Sequence, residues 1–258
     1  MQSSVKIDTV LAPCLIPETD LKGSIAAVID VLRATTTIVT AFASGAANIR
    51  PFSRPAEVRA YAAQLGEGLC LLSGEEKGLR IPDFHLGNSP LEYLDSDMVA
   101  NKTILFSTTN GTPTMQKTYH QSRLPVYIAA LVNCSSVSAA IVKEIESGSA
   151  AKIALVCSGR HGQPGAEDIF CAGLIAGMIG QRLLQNRLTI DLTDSSMIAM
   201  VFAAQNKRRP LDVLAESEHG SYLKTIGFTQ DLEFAAQIDK YDKVPVFNGE
   251  DITLGQGE

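Results

Sequence analysis

Short apolar runs alternate along this chain with longer stretches in which apolar residues recur every three or four positions. The short runs predict strands over Val5–Leu11, Ile25–Val31, Asn48–Phe52, Leu69–Ser73, Thr103–Ser107, Val126–Ala130 and Lys152–Cys157. The longer pattern predicts helices over Thr35–Ala43, Ala56–Leu65, Thr112–Tyr119, Ser135–Glu146, Glu167–Gln185 and Asp194–Gln205. Short helices follow at Leu211–Leu214, Gly220–Ile226 and Asp231–Ile238, with a last strand at Val244–Phe247. Strands alternating with helices predict an α/β fold of the layered α/β/α kind, with a largely parallel or mixed sheet. Ile153–Cys157 (IALVC) is apolar at successive positions, as a central strand covered by helices on both faces requires. Asn186–Asp194 is the best candidate linker. The 258 residues therefore read as one α/β domain, with a possible boundary between two lobes near 186–194.

Polar residues collect where the predicted strands end. Ile25–Val31 carries Asp30 and runs into Leu32-Arg33-Ala34-Thr35, and Leu69–Ser73 runs into Gly74-Glu75-Glu76. Thr103–Ser107 is followed by Thr108-Thr109-Asn110-Gly111-Thr112, the strand over Val126–Ala130 by Asn133-Cys134-Ser135, and Ile153–Cys157 by Ser158-Gly159-Arg160-His161. Ligands of open α/β sheets bind outside the carboxyl ends of strands, so these five loops are expected to meet at one crevice. Ser107, Thr108, Thr109, Asn110 and Gly111 have the chemistry of an anion cradle. Gly111 is expected to supply a positive φ, and the amides of a following helix N-terminus favour phosphate. The same letters also suit an ordinary capped turn, and the loop alone does not separate the two readings. Ser158-Gly159-Arg160 repeats the pattern with a guanidinium, which suits either an anion clamp or a surface ion pair.

The carboxylates supply the complementary chemistry. Asp30 closes an otherwise apolar strand, where a charge needs a partner, a hydrogen bond or a metal; Arg33 is the local candidate partner. Glu167 and Asp168 open the long helix, where they complement its dipole or serve as metal ligands. Glu75 and Glu76 read as solvated loop residues, His161 as a solvated loop histidine and His219 as a helix-end residue. Carboxylates near phosphate-binding loops point to Mg²⁺, which takes one or two carboxylates plus phosphate oxygens.

Composition narrows the function. The chain is 45% hydrophobic, which is enough for a real core, and its net charge of −6 argues against a nucleic-acid binder. The five cysteines form no CxxC pair, which disfavours a disulfide framework or a thiolate zinc site. The apolar run from Ile169 to Gly180 is shorter than the roughly 20 residues of a membrane span, and no signal-peptide core stands at the N-terminus. These features predict a soluble cytoplasmic protein. No Walker A, GxGxxG or GxSxG pattern is present. Cys157 and Arg160 lack the spacing of a tyrosine phosphatase loop. Leu32 stands where haloacid-dehalogenase phosphatases have their second Asp.

Five segments taken together carry a resemblance: VIDVLRATTTI (Val28–Ile38), GNSPLEY (Gly87–Tyr93), STTNGT (Ser107–Thr112), NCSSV (Asn133–Val137) and CSGRHGQPGAEDIFCAG (Cys157–Gly173). With the C-terminal LAESEHGSYLKTIGF (Leu214–Phe228), this ordered set resembles the 2-phosphosulfolactate phosphatase family over nearly the whole chain. The resemblance implies a Mg²⁺-dependent hydrolase releasing sulfolactate and phosphate, a step toward coenzyme M in methanogens. With the polar residues at the strand ends, the lead reading places Asp30, Arg33 and Arg160 in catalysis. It assigns Asn88, Ser89, Ser158 and Gly159, with Ser107–Gly111, to the phosphoester, and Asp30, Glu167 and Asp168 to the metal. Two positions depart from the family pattern: Glu76 in place of the Arg of GER, and His85 in place of the Asp of FD before GNSP. The attacking group is either a metal-activated water or Asp30, with water favoured by Leu32. A non-catalytic binder of a phosphorylated or sulfonated metabolite is the competing expectation. A homodimer is the expected assembly.

Overall fold

The computed structural model describes residues 4–16, 21–66 and 68–255. In chain order its elements are β1 (Val5–Val10), β2 (Ile25–Ile29), α1 (Ala34–Ala43), β3 (Asn48–Phe52), α2 (Pro55–Leu65), β4 (Cys70–Glu76), β5 (Leu79–Arg80), α3 (Ser96–Val99), β6 (Thr103–Ser107), α4 (Gly111–Ser122), β7 (Val126–Ala129), α5 (Cys134–Glu146), β8 (Lys152–Cys157), α6 (Ala166–Gln185), β9 (Ile190–Leu192), α7 (Asp194–Asn206), α8 (Pro210–Glu216), α9 (Glu218–Thr225), α10 (Thr229–Ala235), β10 (Pro245–Phe247) and β11 (Ile252–Leu254). One mixed sheet of 11 strands runs through them in the order β5-β4-β6-β3-β11-β10-β7-β2-β8-β1-β9.

The sheet has two parallel blocks. β4, β6 and β3 pair in parallel, as do β7, β2, β8, β1 and β9. The antiparallel pairings β3–β11, β11–β10 and β10–β7 join the blocks. The fold class is therefore α/β with a mixed sheet.

Strand periodicity sorts the core into layers. On β2, Ile25, Ala27 and Ile29 face the apolar residues of α5 and α6, whereas Ala26 and Val28 face those of α1 and α4. On β8, Ile153, Leu155 and Cys157 join the first cluster, and Ala154 and Val156 the second. This is the two-sided burial that the unbroken apolar run predicts. α6 packs closely on α7 because Gly173 leaves room for the carbonyl of Ala199. Among the described residues no helix is long and apolar enough to cross a membrane.

The structure departs from the sequence expectations in three places that bear on function. β4 continues through Glu76, so Gly74, Glu75 and Glu76 belong to a strand, and Glu75 is buried rather than solvated. β5 returns on β4 as a hairpin that the sequence did not signal. Ile190–Leu192, inside the stretch read as a linker, is a strand paired with β1. β5, β9 and β11 have two or three residues each, too few for an alternating pattern to register.

Candidate active site

α1 and α4 begin at the carboxyl ends of strands from different blocks, β2 and β6, and their first residues abut. A Cβ on Gly111 would lie 2.6 Å from Ala34 Cβ and 2.8 Å from Asp30 Oδ2. Gly111 is thus required by close approach. The positive φ expected for it is absent: among the described glycines with left-handed backbone it does not occur. Asp30 is held in this junction by its own backbone, whose N–H donates to Thr35 Oγ1 at 3.0 Å and whose carbonyl accepts from the same hydroxyl at 2.8 Å. Gly111→Val is expected to cost about 1–3 kcal/mol by overpacking and to cut activity at least tenfold; a denaturant midpoint and a phosphate-release assay check both.

Burial pushes the Asp30 carboxyl up to about 7 from an ordinary 3.8, with Glu167 and Glu75 adding to the rise and His219 and the Ala34 amide opposing it. Asp168 is also buried and also pushed up, by desolvation first and then by Glu167 and Asp30. Its two oxygens are engaged: Val31 N–H donates to Oδ1 at 2.8 Å and Gly159 N–H to Oδ2 at 2.9 Å. Asp168 therefore ties the loop after β2 to the loop after β8. Gly159 has φ +55°, and a side chain there would meet the Gln163 carbonyl, so this turn demands glycine. Glu167 differs from its neighbour. Oε1 faces His219 Nδ1 at 3.7 Å, and Oε2 has no hydrogen-bond partner among the described residues although the residue is buried. Asn88 Oδ1 and Ser158 Oγ are likewise buried and unpartnered.

The cleft above this base encloses about 950 Å³. Asp30, Arg33, Asn88, Thr108, Thr109, Asn110 and Arg160 line it. Ser89, Ser107, Gly111, Ser158, Gly159, Glu167 and Asp168 are buried and are not among these lining residues. Four of the five predicted loops reach the cleft; the Asn133 loop does not. The reason is local bonding. Asn133 accepts from Ala130 N–H and donates to the carbonyls of Ile128 and Lys243, and Ser135 donates through N–H and hydroxyl to Asp239.

The cradle after β6 is tied at several points. Thr112 Oγ1 donates to the Thr108 carbonyl at 2.9 Å, and Thr112 N–H donates to Thr108 Oγ1 at 3.0 Å. Thr109 N–H donates to Glu75 Oε1 at 2.7 Å, and Gly78 N–H donates to Glu75 Oε2 at 2.7 Å. Glu75 thus joins the cradle to the β4–β5 hairpin. His161 N–H donates to Asn110 Oδ1 at 3.3 Å, which links the loops after β6 and β8. The amides of Asn110 and Gly111 enter none of these bonds and stand at the N-terminus of α4.

Arg33 does not pair with Asp30. Its Nη1 donates to Asp231 Oδ2 at 2.7 Å, its Nη2 to the Gly78 carbonyl, and its guanidinium lies 4.1 Å from the Phe228 ring centre. Ser89 donates to Asp231 Oδ1 at 2.6 Å, so the C-terminal helices close one side of the cleft. Arg160 stacks on Tyr222 at 4.3 Å and donates at 3.1 Å to Glu218, which is largely exposed. Asp231, His219 and Glu75 were missed as site residues. A lone Asp in a predicted helix, a histidine at a helix end and a glutamate beside glycine carry no local signal for this role.

A family model described as 2-phosphosulpholactate phosphatase matches residues 10–250. The chain belongs to the 2-phosphosulfolactate phosphatase family. This is a family of phosphoric monoester hydrolases, and membership displaces the expectation of a non-catalytic binder. A relative from Symbiobacterium thermophilum named "probable 2-phosphosulfolactate phosphatase" is 36% identical over 239 residues, covering 92% of this chain and 97% of that protein. A relative of the same name from Deinococcus radiodurans is 35% identical over 232 residues, covering 90% of this chain and 91% of that one.

Chemically, the site offers an anion pocket at two abutting helix N-termini, with carboxylates beneath it. Among the described residues no group of three or more His, Cys, Asp and Glu side chains forms a cage for a metal. Mg²⁺ needs no such cage, because it keeps waters and takes one or two carboxylates plus phosphate oxygens. The unpartnered Glu167 Oε2 and the buried Asp30 carboxyl fit that requirement.

Proposed function

We propose that this protein hydrolyses the phosphate ester of a small, multiply anionic three-carbon acid, 2-phosphosulfolactate or a close analogue, with Mg²⁺. The observation that carries the reading is the Asp30 carboxyl, buried where the first turns of α1 and α4 meet and close to Gly111, whose amide and that of Asn110 have no hydrogen-bond partner among the described residues. Two positive helix ends favour a phosphoryl group there. When bound, Mg²⁺ held by Asp30 and Glu167 would polarise the phosphoryl oxygens and lower the pKa of a water. The protein's residues do the positioning. The Asn110 and Gly111 amides orient the phosphoryl oxygens, Asn88 Oδ1 and Ser158 Oγ offer further polar contacts, and Glu75 keeps the cradle in register with the hairpin. Arg33 gives one guanidinium nitrogen to Asp231 and the other to the Gly78 carbonyl, so its charge is largely offset and it mainly positions the hairpin against the C-terminal helices. Arg160, on the cleft wall, is placed to bind the carboxylate or sulfonate. Phosphoryl transfer relies mainly on positioning and charge stabilisation, and this inventory supports both.

The test is phosphate release from a panel of three-carbon phosphoesters with Mg²⁺, with EDTA, and after Mg²⁺ is restored. Turnover is expected to vanish in EDTA and return with the metal; full turnover in chelator, with no metal bound, refutes the reading. The cation also has to meet an ionised Asp30, and binding therefore displaces a proton. With that carboxyl at about 7, apparent Mg²⁺ affinity is expected to fall about tenfold for each pH unit below that value. Calorimetric titrations between about pH 5 and 8 read this directly, and a flat profile shows that the cation displaces no proton from Asp30 in that range.

A further inference from the structure

The cleft is larger than a three-carbon ester needs. Its volume of about 950 Å³ lies at the top of the range of about 300–1,000 Å³ that holds drug-sized ligands. A small acid seated against Asp30 leaves the outer part of that space open. The outer wall is built by the β4–β5 hairpin, where the apolar Leu79 and Pro82 line the cleft beside Tyr222, with Glu76, Lys77 and Arg80 of the same hairpin among them and Leu32 and Ile81 buried behind. Leu79 is 51% exposed, a large apolar side chain left open beside a polar site. The hairpin is fixed in place. Tyr222 donates its hydroxyl to the Lys77 carbonyl at 2.8 Å, Glu75 holds the Gly78 amide, and Arg33 holds the Gly78 carbonyl. The exposed Leu79 side chain, with Pro82 and the Tyr222 ring, gains free energy by covering an apolar group attached to the phosphate, while Glu76, Lys77 and Arg80 keep the rest of this preformed wall polar.

We infer that the hairpin wall is a second subsite, which takes the apolar organic group of larger phosphomonoesters than the three-carbon acid. The inference rests on the Asp30 end being the phosphoryl site. In the reaction it extends, the oxygen of water bonds to phosphorus and the bond from phosphorus to the alcohol oxygen breaks. The alcohol departs with a proton, and phosphate remains.

The experiment measures binding of n-alkylphosphonates from ethyl to octyl by calorimetry in Mg²⁺, beside kcat/KM for the matching alkyl phosphates and for 2-phosphosulfolactate. Phosphonates are not hydrolysed, so the binding series does not depend on turnover. Affinity is expected to rise about two- to fourfold per added methylene. Leu79→Ser is expected to flatten that slope and leave ethylphosphonate binding unchanged, and Leu79→Phe to preserve or steepen it. A flat wild-type series overturns the inference, and so does an unchanged slope in Leu79→Ser. A rising series with no ester turned over supports the subsite while refuting the phosphatase reading. Turnover of 2-phosphosulfolactate with a flat series refutes the subsite alone.

Discussion

Asp30→Asn is expected to lower kcat/KM on the order of 100-fold or more, which corresponds to a loss of about 3 kcal/mol or more of transition-state stabilisation. Asparagine keeps the shape and the hydrogen-bonding capacity toward the Ala34 amide, but cannot supply the charge that holds a cation or attacks phosphorus. The same substitution has the opposite effect on stability. Burial raises the Asp30 carboxyl to about 7 in the folded chain, against 3.8 for the ordinary group. For an acid raised in this way, the folded state binds the extra proton between those values. Its contribution is complete below about pH 4, falls as pH rises through 7, and above that ionisation opposes folding. Asparagine does not ionise. Without divalent cation the variant is expected to match the wild type near pH 4 and to be more stable by a few kcal/mol near pH 8. Activity assays paired with thermal melts at the two pH values check this. Activity within a few-fold of wild type demotes Asp30 to a structural carboxyl. Loss of activity with a collapsed melting temperature at pH 8 assigns the effect to folding.

Asp168→Ala is expected to give the largest loss of stability of any single change at the site, on the order of 2–5 kcal/mol. Two backbone amides, those of Val31 and Gly159, donate to its carboxylate at 2.8 and 2.9 Å. Removing the acceptor leaves both buried without partners, at about 1–3 kcal/mol each, partly offset because a buried carboxyl no longer has to be accommodated. Asp168→Asn keeps one acceptor oxygen and sets an NH₂ group against the other amide, so its cost falls between. Glu167→Gln is the control. Among the described residues Glu167 Oε2 has no partner to lose, and this substitution is expected to leave the denaturant midpoint near that of the wild type while raising the Mg²⁺ concentration needed for activity. Equal destabilisation by Asp168→Ala and Glu167→Gln contradicts this division of labour.

The two residues that the sequence reading set against the family pattern, Glu76 and His85, fall in different places. Glu76 lines the cleft at the end of β4, where it bears on the charge of the substrate. His85 lies outside that lining, and its Nδ1 accepts from Leu72 N–H at 2.9 Å. The first position is therefore the one whose change alters the electrostatics of the site.

Features that depend on near neighbours along the chain are legible in the residues alone. An unbroken apolar run identified β8 as a covered strand, three- and four-residue spacing identified the long helices, and Asp30 stood out as a charge closing an apolar strand. The small polar residues of 107–111 marked the turn that leads into α4, because turn and capping chemistry is local. Only the tertiary structure decided which of these groups meet. Arg33 has an aspartate three residues away and pairs instead with Asp231, 198 residues along the chain. Glu75 looked solvated beside glycine and is buried between two amides, because β4 runs on into a hairpin too short to leave a periodic trace. Gly111 is a glycine because Ala34 and Asp30 crowd it, not because of its own turn. In each case the deciding energy lies in desolvation and close packing between segments far apart in sequence, which no local pattern of residues encodes.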